Sequence, residues 1–183
     1  LGDVYKRQDY TYMYYTNSQA KAQLESWYQT NIGSKEDLAK NVASGAYYCE
    51  QAKAKYSSSW TSKSANMTLY SSYIPNFKCT TDGNGKGIVN ANIGLLNYDE
   101  VIYAGGYCGQ SNNSYYLYDN THFWTMSPAG FAPGSSYVWS VHTSGSINDY
   151  AVYNAFAVRP VIILAADVLA TGSGTSSDPF VVG

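Results

Sequence analysis

Charge is what this chain has least of. Its 11 Lys and Arg and 13 Asp and Glu amount to 13% of 183 residues, with a formal net charge of -2. Soluble proteins usually carry about 25% charged residues. Such an inventory cannot build a basic face, which excludes duplex nucleic acid as a partner. Also missing is any apolar run of the ~18 residues that a membrane span needs. No internal repeat of ~20–50 residues is present, which removes solenoids and propellers. Cysteine is limited to 3, so the thiols cannot all pair with one another. The length fits one domain, since folded domains commonly run about 100–200 residues.

Rings and small polar side chains take the place of charge. With 20 Tyr, 5 Phe and 4 Trp, the chain is too aromatic to be disordered. Tyr and Trp beside Ser, Gly and Asn make the composition of recognition surfaces, in which stiff amphipathic rings give contact area at low entropic cost. The same tyrosines can equally edge a small β-rich core. Cys49 ("AYYCE") and Cys79 ("NFKCT") flank a long Ser-rich stretch, where a crosslink would remove loop-closure entropy. In an oxidising compartment they are expected to pair and leave Cys108 free; in the cytosol all three are ordinary thiols.

The clearest helical signal is "LESWYQTNI". Leu24, Trp27, Tyr28 and Ile32 fall on one helical face, with Asn17 or Ser18 as N-cap and Gly33 as a left-handed stop. Ser34 with Asp37 reads as the capping box of a second short helix, whose apolar side is Leu38 and Val42. "IGLLNYDEVIYAGG" predicts a short strand and one helical turn stopped by Gly105 and Gly106. Beyond it "SYYLY", "HFWTMS", "SYVWSVHT" and "INDYAVY" read as strands, with Val138, Ser140 and His142 alternating against Trp139, Val141 and Thr143 as in a half-buried one. "SGS" at 144–146 suits a hairpin, with Gly145 at positive φ. "VRPVIILAADV" is expected as a central strand that must accommodate Pro160, and the tail "TGSGTSSDPFVV" as a turn and a last short strand.

Tested one by one, the chemical motifs fail. "DGNGKG" at 82–87 starts like a calcium loop, but Lys86 occupies a donor position and Ile93 stands where a bidentate Glu belongs. His122 and His142 lack metal-ligand spacing, and no G-x-S-x-G elbow supports a serine nucleophile. The acids Asp99, Glu100, Asp119, Asp149 and Asp167 are scattered in turns, unlike a glycosidase pair. No cofactor is implied, and no catalytic constellation is found. Arg159, inside "FAVRPVIIL", calls either for a structural partner or for a ligand carboxylate. Trp124 and Trp139 read first as core anchors.

The segments "IGLLNYDEVIYAGG", "YYLYDNTHFWTMSPAGF", "SYVWSVHTSGSI", "FAVRPVIIL" and "LATGSGTSSDPFVV", in that order, resemble a family of Firmicutes surface proteins, many of prepilin type. That resemblance has no established activity behind it. It implies an α+β, C-type lectin-like fold akin to the formylglycine-generating enzymes: two N-terminal helices on a small mixed or antiparallel β-sheet with long loops. The calcium–sugar motifs of true C-type lectins and the paired catalytic cysteines of the formylglycine-generating enzymes are both missing. The opening "DVYKRQ" back-translates, as GAT-GTG-TAT-AAG-AGA-CAG, to a transposase mosaic end. Residues 1–8 are therefore expected to be a translated sequencing adapter, and 9–183 a single N-terminally truncated domain. The expectation for function is a non-enzymatic, extracellular binding head, anchored to the envelope through the lost N-terminus and contacting a glycan or a protein. Its contact residues would be Asn112, Asn113, Tyr115, Tyr116, Tyr118, Asn120, His142 and Tyr150. A structural pilin-like subunit, or an enzyme using Cys108 or a His, are the rival readings.

Overall fold

Ser18 starts the first helix by accepting the Lys21 N–H on its hydroxyl, and two short 3-10 turns, Tyr10–Met13 and Tyr15–Asn17, lead into it. The computed structural model describes residues 10–50, 75, 77, 79, 87–132, 135–168, 170–175 and 177–182. Residues 1–8, expected as an adapter, the polar stretch 51–70 and most of "DGNGKG" lie outside them. Helix α1 (Gln19–Tyr28) buries Ala20, Leu24 and Tyr28, while Trp27 stays 46% exposed. The apolar face is narrower than the sequence pattern because the helix widens into a π turn over Gln29–Gly33. A π turn carries more residues than an α turn, and Ile32, inside it, is half-buried against the core.

The stop and cap expected for the helix pair are corrected here. Gly33 does not take positive φ, and the second helix is a single turn, α2 (Glu36–Ala39), preceded by Lys35 with no side-chain cap. The Ser34 hydroxyl instead donates back to the Thr30 carbonyl left open by the wide turn. Leu38 is 42% exposed and only Val42 is buried.

Strand β1 (Tyr47–Cys49) pairs antiparallel with β2 (Ile88–Asn90), placing Tyr48 opposite Val89 in the core. Cys49 and Cys79 form a disulfide. After β3 (Gly94–Leu95), Asn97 and Glu100 close a reciprocal capping box on helix α3 (Tyr98–Tyr103), and Gly105 ends it at φ 111°. None of these helices is long and apolar enough to cross a membrane.

The remaining chain builds a five-stranded mixed sheet. Strands β5 (Phe123–Ala132), β6 (Ser135–Val141) and β7 (Ser146–Ala151) run antiparallel. Strand β4 (Tyr107–Cys108) joins β7 and β8 (Ala157–Val158) joins β5, both parallel, giving the order β4-β7-β6-β5-β8. Pleating sends alternate residues to opposite faces. Trp124, Met126 and Val138 pack with Met13, Tyr15, Leu24, Tyr48 and Ile93 on one side. Phe123, Trp139, Val141 and Ile147 pack with Tyr98, Val101 and Tyr115 on the other. Strand β6 is therefore buried on both faces, not half-buried; its alternating hydroxyl, Ser140, is as covered as Trp139.

Two strand expectations fail. "SYYLY" is a turn, closed by the Tyr118 N–H on the Tyr115 carbonyl. "VRPVIIL" is no central strand: after β8 the chain crosses to β9 (Pro160–Val161), which pairs with β3, and Ile162, Ile163 and Leu164 are 36–41% exposed. Pro160 has no N–H to donate to a ladder, which is where the switch between sheets falls. The tail forms a hairpin of β10 (Ala170–Thr171) and β11 (Val181–Val182), as its sequence implied. The architecture is α+β, mostly strand with few short helices.

Candidate functional site

One end of the large sheet gathers the loops that matter. Phe123 opposes Val141, Val141 opposes Ile147, and Phe123 also lies beside Ala157. The 109–122 loop, the 142–146 turn and the approach to β8 consequently emerge together. The eight expected contact residues all lie around this end, but they do not form one surface.

On the face of the second core, the 109–122 loop is pinned from within. The Asn112 amide donates to the Gly105 carbonyl at 2.6 Å, its Oδ1 accepts from the Ser114 N–H, and its backbone N–H donates to Ser144 O. Gly145 (φ 77°) must be glycine, because a Cβ there would lie 1.7 Å from the Asn112 carbonyl oxygen. Tyr115 is 9% exposed, and burial pushes its phenol up to about 12. The contact role expected for Tyr115 is corrected to anchoring, and Asn112 acts as a bracket. Tyr118 is half-buried against the same core, whereas Asn113 and Asn120 are exposed, the latter at φ 62°. Tyr116, the next residue after the anchor, is 82% exposed.

Beside Tyr116 lies an open cleft of about 550 Å³, lined also by Leu117, Arg159, Thr175, Pro179 and Phe180. Arg159 donates to the Leu117 carbonyl and to Asp119, and its guanidinium lies 4.6 Å over the Phe123 ring. That arrangement gives the guanidinium two structural acceptors, with 29% of the side chain still exposed. Phe180 is 64% exposed and sits on Gly174, where a Cβ would come within 2.5 Å of the ring. Asp178 closes the turn beneath it, accepting from Ser173 N–H at 2.8 Å and, through its carbonyl, from Gly174 N–H at 3.0 Å.

The opposite face carries His142 and Tyr150, joined by His122 and Phe156. His122 stacks on Phe156 with ring centres 3.4 Å apart and meets His142 edge-on at 5.0 Å and Tyr150 at 4.9 Å. Burial, and secondarily the His142 ring, lower the His122 imidazole to about 4. His122 Nε2 lies 3.0 Å from Ser140 Oγ, which donates to the Asn148 carbonyl at 3.3 Å. With its proton on Asn148, Ser140 accepts from His122. The pair is thus the reverse of a base activating a nucleophile, and Ser140 is fully buried. His142 Nδ1 accepts the Ser144 N–H at 3.2 Å.

A second cavity, about 270 Å³, opens beside the disulfide between Tyr47, Phe77, Leu95, Glu100 and Ile163. Burial raises the Glu100 carboxyl, although its capping bond to Asn97 N–H opposes the rise. Cys108 is half-buried, and desolvation pushes its thiol up to about 12, far from the thiolate that nucleophilic chemistry uses. Among the described residues no three His, Cys, Asp or Glu converge to hold a metal ion. Trp124 and Trp139 are fully buried, one in each core. Sequence reasoning missed Phe156 and Phe180, each a lone ring after a polar turn with nothing local to mark it. No protein-family model, curated protein or solved structure matches this chain.

Proposed function

We propose that this chain is a non-enzymatic binding module of C-type lectin-like fold, displayed on a bacterial surface as the head of an anchored, pilin-like protein. The observation that carries the reading is the pairing of exposed rings with immobilised loops at one end of the sheet. Tyr116 and Phe180 stand open at 82% and 64% while the backbone beneath them is fixed by Asn112, Arg159 and Asp178. Fixed loops spare a binding surface the ordering cost that mobile ones incur. The His122, His142, Tyr150 and Phe156 cluster offers a second ring surface on the reverse face. An enzyme of the formylglycine-generating type is disfavoured by the high-lying Cys108 thiol.

The test is binding of the labelled full chain to mucin, epithelial cells and bacterial cells. Saturable binding that falls at least about tenfold in Tyr116→Ala or in His142→Ala/Tyr150→Ala supports the reading, tenfold being the loss of one modest hot spot. No saturable binding to any of these surfaces overturns it. One observation favours the rival structural subunit: Ile162, Ile163 and Leu164 form an exposed apolar run. Concentration-dependent self-association abolished by Ile163→Ser would select that reading.

A further inference from the structure

We infer that the cleft between Tyr116 and Phe180 is a calcium-independent site for an uncharged pyranose, the glycan unit this module would recognise; the inference rests on the binding reading above. A volume of about 550 Å³ falls within the ordinary range for small-ligand sites. The two rings are exposed to 82% and 64%, so each leaves a π face open for the C–H face of a sugar ring.

The polar equipment decides between a neutral and an acidic ligand. Among the described residues Arg159 is the only charged side chain lining the cleft, and its charge is already balanced by Asp119. An incoming carboxylate would compete with Asp119 for the guanidinium and face its negative charge. A hydroxyl does neither. A guanidinium has five N–H donors; Leu117 and Asp119 take two, and the rest have no partner among the described residues. Sugar hydroxyls can accept from those donors, and Thr175 adds one hydroxyl on the far wall. Among the described residues no carboxylate cluster stands at the cleft to hold calcium.

The rings are positioned before any ligand arrives. Phe180 rests where Gly174, at φ 77°, presents no side chain. Arg159 is held by three contacts, to Leu117, Asp119 and Phe123. Gly174 is thus a positioning residue, since a methyl there would displace the Phe180 ring.

The experiment uses the full chain on a printed array that carries neutral gluco-, galacto- and manno-oligosaccharides, sialylated and uronate oligosaccharides, and Glu-rich peptides. The expected result is binding to at least one neutral glycan, unchanged by EDTA and changed less than twofold between 50 and 500 mM NaCl. Tyr116→Ala and Phe180→Ala should each weaken it at least about tenfold. Gly174→Ala should weaken it while leaving Tyr116 intact, and Trp27→Ala, on α1, should not. Near-UV circular dichroism confirms that each variant is folded; if Phe180→Ala is not, Tyr116→Ala and a Phe180→Leu variant decide. Binding confined to acidic probes, strong salt sensitivity, or loss with EDTA overturns the inference. Neutral-glycan binding that survives both ring substitutions also overturns it, while leaving the binding module intact with its site elsewhere. Binding to no printed probe but to a cell-surface protein has the same meaning. Binding to nothing at all removes the module reading together with the site.

Discussion

Tyr115 and Tyr116 are neighbours in sequence with opposite fates, and their hydroxyls show what each is worth. The Tyr115 oxygen is buried without a hydrogen-bond partner among the described residues. An unmet buried hydroxyl costs about 1–3 kcal/mol, so Tyr115→Phe should leave stability unchanged or raise it. Tyr115→Ala removes the whole anchor and should cost about 3–5 kcal/mol, the range for deleting a buried ring. Urea denaturation of both variants checks the pair; a Phe variant less stable than wild type would mean the hydroxyl is satisfied after all. His122 gives a pH dependence of known sign. Its folded-state value is about 4 against 6.5 for the free side chain, so the unfolded chain takes up the proton first. Stability is therefore unaffected above pH 6.5, falls as pH drops from 6.5 toward 4, and stops falling below that through this group. His122→Gln, which can still donate to Ser140, should flatten the midpoint of thermal unfolding across that window. A wild-type midpoint that does not fall between pH 6.5 and 4.5 would show the imidazole to be solvated.

Among the elements, α3 is the one whose ends are chemically specified. Asn97 Oδ1 accepts the Glu100 N–H at 3.0 Å and Glu100 Oε2 accepts the Asn97 N–H at 2.8 Å. Asn97→Ala should cost about 1 kcal/mol, within the 0.5–2 that N-cap removal usually gives. Chemical denaturation measures it directly. This helix and its Gly105 stop were legible in the sequence because every determinant sits within a few residues of it. The same holds for the Gly145 turn and the final hairpin. A second short helix after Gly33 was legible, but its Ser34 cap was not, since the π turn at Gln29–Gly33 changes phase in a way no periodicity encodes. "VRPVIIL" misled for another reason: its apolar run looks central, yet Pro160 and the guanidinium of Arg159 divert it between two sheets. The candidate site was half visible. Composition pointed to the 112–120 loop, but only tertiary structure tells the anchor Tyr115 from the open Tyr116. It alone brings Phe180 from the chain's end to face Tyr116.

At the scale of the molecule, two cores share one sheet, and β6 belongs to both. Val138 is buried in the first and Trp139 in the second, adjacent residues on opposite faces. Neither core can be dissolved without exposing a face of β6, so the two should unfold together. The disulfide acts on this whole. It joins β1, which lies in the first core through Tyr48, to Cys79, 30 residues along the chain. Closing a loop of that length in the unfolded chain is worth about 3–4 kcal/mol in the chain-entropy account. Reduction, or Cys49→Ala/Cys79→Ala, should lower the unfolding free energy by about that amount while Trp124 and Trp139 still report one midpoint. Single Trp124→Phe and Trp139→Phe variants separate the two signals by fluorescence. Coincident midpoints shifted down on reduction support a single cooperative unit. If reduction moves the Trp124 signal and leaves Trp139 in place, the cores are independent, and the bond stabilises only the face that carries α1.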